Sequence, residues 1–271
     1  MSSTAFAEAS ALHPIRPGHW RAEVTADWGQ GRTAFGGLVA VFALRACGEL
    51  VGDDRPLRSF TMDFVTPAEV GEVQVIARVL HQGKATSHLE ARVMQGERVC
   101  ALVMAIFAVP RATGIHVASA SAPVAEGPEG RVELPFLEGL TPAFTKKFVY
   151  RWGDHPIPSS GADRPGAGGW VRPREGAADP LTQVAMLDAW PAPVLALTHA
   201  PTPASTVLWL VQVHTPLRTH PGSAWWRFES EVEGASDGCA DTTQRLWAPD
   251  GQLALVGRQL VAEFSRLPPP R

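Results

Sequence analysis

A carboxylate at position 188 and an amide at position 259 are the side chains best placed to do chemistry in this sequence. Asp179 suits a helix cap and Pro180 a first helical turn, while Pro191 and Pro193 stop the run, so a helix is expected from Pro180 to Trp190. Leu181, Val184, Ala185 and Asp188 fall at i, i+3, i+4 and i+7 and share one face. An ionised carboxylate among apolar neighbours is unfavourable unless it is paired or hydrogen-bonded, and a carboxylate so placed can accept a proton. Two plainer readings stand beside that one: helix rotation leaves Asp188 at a solvent edge, or it caps a neighbouring element. Gln259 interrupts an apolar row of Leu255, Gly257 and Val261 in the last strand-like run, where a core glutamine bonded to backbone is the plain alternative. Thr206 opens the strand expected over Ser205 to His214, and a threonine there is unremarkable by itself.

Familiar catalytic signatures are missing. The sequence has no G-x-S-x-G elbow, P-loop, G-x-G-x-x-G after a strand, H-E-x-x-H or C-x-x-C. His214 and His220 are poorly spaced for a metal, and Ser159 and Ser160 have no local support as activated nucleophiles. Cys47, Cys100 and Cys239 are too few and too scattered for a disulfide framework or a zinc site, which fits a reducing cytoplasm. With 45% hydrophobic residues, 19% charged residues and a net charge of -3, the composition is that of a globular chain without an electrostatic footprint for nucleic acid. No signal peptide is expected. The longest apolar stretch, Ala101 to Pro110, is far short of the roughly 20 residues that span a bilayer.

The elements that must position these residues come in two similar sets. His19 to Asp27 alternates like a strand, Trp28 to Ala34 is a polar loop, and Gly36 to Leu50 is a helix so apolar that other structure must enclose it. Strands are then expected over Leu57 to Pro67, Glu72 to Gln82, Ala85 to Gln95 and Arg98 to Val109. Pro110 to Gly130 reads as a linker rich in Ala, Ser, Pro and Gly. The second set starts with a strand over Thr141 to Trp152 and a long Pro/Gly-rich loop from Asp154 to Ala178 that holds Trp170 and Arg172. The helix carrying Asp188 follows, then strands near Ser205 to Pro216, Ala224 to Glu233, Cys239 to Ala248 and Gln252 to Phe264. Asp63-Phe64-Val65-Thr66-Pro67 matches Gln212-Val213-His214-Thr215-Pro216, and Gln95-Gly96 matches Asp250-Gly251. Counting eight residues on from each glycine sets Met104 opposite Gln259, so the halves share a layout and differ in chemistry. The division is residues 1–112, a linker at 113–135, and 136–271 carrying the reactive residues.

Together these pieces resemble the acyl-CoA thioesterase II family. The resemblance rests on Asp179-Pro180-Leu181-Thr182-Gln183-Val184-Ala185-Met186-Leu187-Asp188, on Thr206 and Gln259, and on Phe35-Gly36-Gly37, the Thr-Pro strand end and Gly83-Lys84 in the first half. It implies an α+β double hotdog: two antiparallel sheets, each wrapped on a long helix, fused in one chain. It also implies hydrolysis of an acyl-CoA (or acyl-ACP) thioester by a water held among Asp188, Thr206 and Gln259, with backbone N–H groups at a helix start polarising the carbonyl and no cofactor. Phe35, Gly36, Gly37, Trp170 and Arg172 are then expected to bind substrate, and the chain to form a homo-oligomer of double hotdogs without nucleic-acid partners or a membrane span. Leu187, where the bacterial type II enzymes usually carry serine, is a departure. Two rival readings are a non-catalytic acyl-CoA or lipid-binding double hotdog and an acyl-CoA hydratase or dehydratase.

Overall fold

The computed structural model describes residues 6–123 and 127–265. A single turn, α1 (Phe6–Ala9), leads into β1 (His13–Arg16) and β2 (His19–Val24). A two-strand ribbon of β3 (Gly29–Gln30) and β4 (Thr33–Ala34) then delivers the chain to helix α2 (Gly36–Glu49). Every residue from Gly37 to Leu44 in α2 is buried, as the unbroken apolar run requires. Strands β5 (Leu57–Phe64), β6 (Gly71–Gln82), β7 (Thr86–Gln95) and β8 (Arg98–Ala108) wrap it, each turning alternate residues toward the helix.

The second half repeats the plan with β9 (Phe148–Trp152), β10 (Ala167–Pro173), α3 (Pro180–Asp188), β11 (Ala204–Val213), β12 (Trp226–Ser236), β13 (Cys239–Trp247) and β14 (Leu253–Glu263). Among the described residues, the twelve strands outside the small ribbon join one antiparallel sheet in the order β1-β2-β6-β7-β8-β5-β11-β14-β13-β12-β10-β9. The halves are fused where β5 meets β11, and the architecture is the α+β double hotdog. At that seam Thr61 pairs with Leu210, the residues related by the offset that relates Asp63 to Gln212. A residue facing its own counterpart across an antiparallel ladder marks a local twofold, so the sequence repeat is also a spatial one. No helix among the described residues is long and apolar enough to cross a membrane.

The ladder corrects one correspondence. Thr61 pairs with Met104 and Leu210 with Arg258, whereas Phe60 pairs with Ala105 and Trp209 with Gln259. The counterpart of Gln259 is therefore Ala105, which is buried like it, while Met104 points outward. Matching Gly96 to Gly251 hid a difference in turn length. Gly96 is the first residue of a two-residue turn closed by Gln95 and Arg98; Gly251 is the last residue of the turn between Ala248 and Gln252. One residue of slip exchanges the two faces of a strand.

Other boundaries shift for local reasons. The helix expected to reach Trp190 ends at Asp188, and the Trp190 ring leaves the helical path to stack on Phe228 at 4.9 Å. Within the expected loop from Asp154 to Ala178, Ala167–Pro173 is strand β10, its alternation concealed by Gly168, Gly169 and Pro173. Residues 143–147 form a 3-10 turn ahead of β9, where a continuous strand from Thr141 was expected. The segment expected to be a plain linker is tied down on both sides of residues 124–126, by a bridge from Ser121 to Gln252 and one from Glu133 to Arg151.

Candidate active site

Asp188 is the last residue of α3, and packing sets its carboxylate against the first turn of α2. The start of any helix leaves N–H groups without intrahelical acceptors, and the residue before α2, Phe35, offers no capping side chain. Asp188 supplies the acceptor instead, taking a hydrogen bond from the Gly37 N–H. It thus does cap a neighbouring element, one from the other half of the chain. The approach requires glycine: a Cβ on Gly36 would lie 2.8 Å from Asp188 Oδ2 and 3.2 Å from the Phe64 ring, and one on Gly37 would meet the Phe35 ring at 2.5 Å.

Gln259 completes the hold on the carboxylate. Its Nε2 donates to Asp188 Oδ1 at 2.7 Å, joining β14 to the end of α3. The amide is buried on the inner face of the sheet, beside the Trp209 and Gln244 side chains, which bond to each other at 3.1 Å. Burial pushes the Asp188 pKa up from 3.8 to about 7, against the smaller lowering effects of the Gln259 amide and the Gly37 N–H. A carboxylate poised near neutrality is suited to take a proton at ordinary pH.

Thr206 pairs with Val261, one step along the same face from Gln259, and a bulge at Val207 follows it. Its hydroxyl bonds to neither Asp188 nor Gln259 among the described residues. The structure therefore joins Asp188 and Gln259 directly and places Thr206 on the adjoining stretch of sheet. Gly36 and Gly37 are brought to the same point, with Phe35 behind them, fully buried and stacked on Phe144 at 4.0 Å.

Trp170 and Arg172 are not brought there. Val171 between them is buried in the core under α3, so alternation sends its neighbours to the outer face of β10. Trp170 lies between Arg131 and Arg227, 5.0 and 4.4 Å from its ring centre, and Arg172 stacks over Trp225 at 5.0 Å. These contacts brace the outside of the sheet. Among the described residues no group of three His, Cys, Asp or Glu side chains gathers as a metal site would require.

Comparison with known proteins places the whole frame. Residues 24–108 match the model of the acyl-CoA thioesterase N-terminal domain, and residues 122–262 match that of the acyl-CoA thioesterase C-terminal domain. Similar solved structures include a protein of unknown function with a hot dog fold from Alicyclobacillus acidocaldarius, with a TM-score of 0.85 and 21% identity over 98% of this chain and 100% of the other. A tesB protein of Mycobacterium avium subs paratuberculosis gives a TM-score of 0.78 at 16% identity, covering 96% and 98% of the two chains. An acyl-CoA thioesterase II, TesB2, of Mycobacterium marinum gives 0.74 at 16% identity, covering 98% and 99%. At these identities the likeness concerns the fold alone. No curated protein matches the chain. Since both domain models match in this order, one on each half of the fused sheet, the chain belongs to the hotdog-fold, acyl-CoA thioesterase-like family.

Proposed function

We propose that the protein hydrolyses an acyl thioester of coenzyme A, or of the pantetheine arm of a carrier protein, by activating a water at Asp188. The observation that carries this reading is the hydrogen bond from Gln259 to Asp188 at the start of α2, which holds a carboxylate of raised pKa where backbone N–H groups converge. In the proposed reaction Asp188 accepts a proton from water as the oxygen attacks the thioester carbonyl carbon. The carbon–sulfur bond then breaks, and the proton held by Asp188 can pass to the departing sulfur. Gln259 keeps Asp188 oriented and offers its Oε1 to the water, while Thr206 offers a hydroxyl on the same face. The Gly36 N–H is the natural donor to the developing oxyanion, since the Gly37 N–H is engaged by Asp188.

Nothing in this scheme needs a bound cofactor. The pairing of Asp188 with an amide differs from what a hydratase would use, where a basic partner is expected beside the carboxylate. Release of free thiol from acyl-CoAs of several chain lengths by the purified protein tests the reading. Hydrolysis of at least one of them, lost in the Asp188→Asn variant, is the result it requires; tight acyl-CoA binding without thiol release would instead favour the non-catalytic reading.

A further inference from the structure

Tyr150 is the single tyrosine in the chain, and its place in the fold is specific. It stands on the inner face of β9 with Phe148 and Trp152, in an aromatic wall where its ring meets Phe148 at 6.2 Å and Trp190 at 5.4 Å. A buried phenol needs a partner for its O–H, and phenylalanine would fill this wall equally well. The partner is the Ala189 carbonyl, which accepts from Tyr150 Oη at 3.0 Å in a fully buried hydrogen bond. Ala189 is the C-cap of α3 and the residue that follows Asp188.

We infer that Tyr150 is a positioning residue for the Asp188 carboxylate, fixing the end of α3 through the Ala189 carbonyl so that Asp188 meets Gln259 and the start of α2 together. The last carbonyls of a helix lack intrahelical donors, so an unbonded Ala189 carbonyl would leave this turn free to fray or rotate. A rotation here displaces the carboxylate directly, because Asp188 lies on the final turn. The first half ties its helix end differently: Trp20 Nε1 donates to the Glu49 side chain at 2.8 Å, and the backbone carbonyl is not involved. Burial, and after it the Asp188 carboxylate, raises the Tyr150 pKa well above its ordinary value, while Arg174 acts in the opposite sense. Tyr150 therefore stays a neutral O–H donor throughout the range in which Asp188 titrates.

The inference rests on the hydrolase reading for its kinetic consequence and on geometry alone for its spectroscopic one, so the test has two arms. In the first, acyl-CoA hydrolysis by wild type and Tyr150→Phe is followed from pH 5 to 9, with melting temperature measured on the same preparations. A positioning role predicts kcat lower by roughly 10-fold, KM within about twofold, and a displaced acid limb. A lower melting temperature with unchanged turnover per folded molecule and an unchanged pH profile would overturn it. In the second arm, growth on 3-fluorotyrosine labels this one position without any mutation. The fluorine resonance should report the ionisation of Asp188 in the wild type and lose that transition in Asp188→Asn; a signal that ignores Asp188 would overturn the inference. If the wild type hydrolyses no acyl-CoA, the hydrolase reading fails, and the fluorine titration alone decides whether Tyr150 is set against Asp188.

Discussion

Gln259 and Asp188 lie 71 positions apart in the chain and meet at 2.7 Å, and the same carboxylate also accepts from the Gly37 N–H. Each half of the molecule therefore supplies something the site needs: the second gives the carboxylate and the amide, and the first gives the helix start that receives them. Gln259→Leu should keep the volume of the site while removing its donor. Asp188 then loses the larger of its two lowering influences, so its pKa should climb above about 7 and the acid limb of the rate profile should move to higher pH. A fall in kcat of roughly 10-fold or more is expected at neutral pH. An acid limb that stays in place would show that the amide does not act on the carboxylate.

Gly36→Ala probes the close approach of the two halves. The added methyl would sit 2.8 Å from Asp188 Oδ2, and the flexible carboxylate must give way to it. Displacement by even part of an ångström should reduce kcat/KM by roughly 10-fold. Gly36 is the first residue of α2, outside the helix interior where alanine and glycine differ most, and the nearest clash is with a flexible side chain, so the melting temperature should change little. Wild-type kinetics in this variant would mean that the carboxylate position is not critical.

The corrected strand register makes a prediction of its own. Ala105 occupies the place of Gln259 in the first half and faces inward, whereas Met104 faces outward. Ala105→Gln should therefore bury an amide without a partner and cost about 1–3 kcal/mol of stability, while Met104→Gln should stay within about 0.5 kcal/mol. Denaturant unfolding of both variants distinguishes the two registers, and the reverse ranking would restore the original correspondence.

Much of this was legible in the sequence, for identifiable reasons. The i, i+3, i+4, i+7 face of α3 predicted where Asp188 points, and the apolar row around Gln259 predicted its inward amide. Both signals are local periodicities, and burial enforced them. The features that escaped depend on distant partners. Nothing near Gly36 or Gly37 in sequence shows that their missing side chains make room for Asp188, and nothing near Tyr150 shows that its hydroxyl meets Ala189. A lone tyrosine alternating with Phe148 and Trp152 was the only hint. Trp170 and Arg172 lie on the outer face of the sheet, which the sequence did not show because the glycines of β10 disguised a strand, and with it the alternation that turns both outward. Met104 was mismatched with Gln259 because glycines mark turns without recording their length.

The pKa of Asp188 couples activity and stability to pH in opposite senses. Activity that requires the carboxylate should rise as pH increases through about 7, where an ordinary carboxylate base would already be ionised. For stability the sign is set by a folded-state pKa above the ordinary carboxylate value of 3.8. Below that value both states are protonated and nothing is lost. As pH rises toward about 7 the unfolded chain ionises first, so this residue progressively destabilises the fold, and beyond 7 the penalty is constant. The melting temperature of Asp188→Asn relative to wild type should therefore increase between roughly pH 4 and 7, since the amide carries no such penalty. A difference independent of pH would place the Asp188 pKa near its ordinary value.

Turnover and thermal unfolding of one Asp188→Asn preparation at pH 8 decide whether Asp188 is the base. Asparagine keeps the size of the side chain and an oxygen to cap α2, but it cannot take a proton from water. With Asp188 as the base, kcat for acyl-CoA hydrolysis should fall by roughly 10²-fold or more while the melting temperature is unchanged or higher. A folded variant that hydrolyses acyl-CoA at the wild-type rate would remove Asp188 from the chemistry and leave it only the cap of a neighbouring helix.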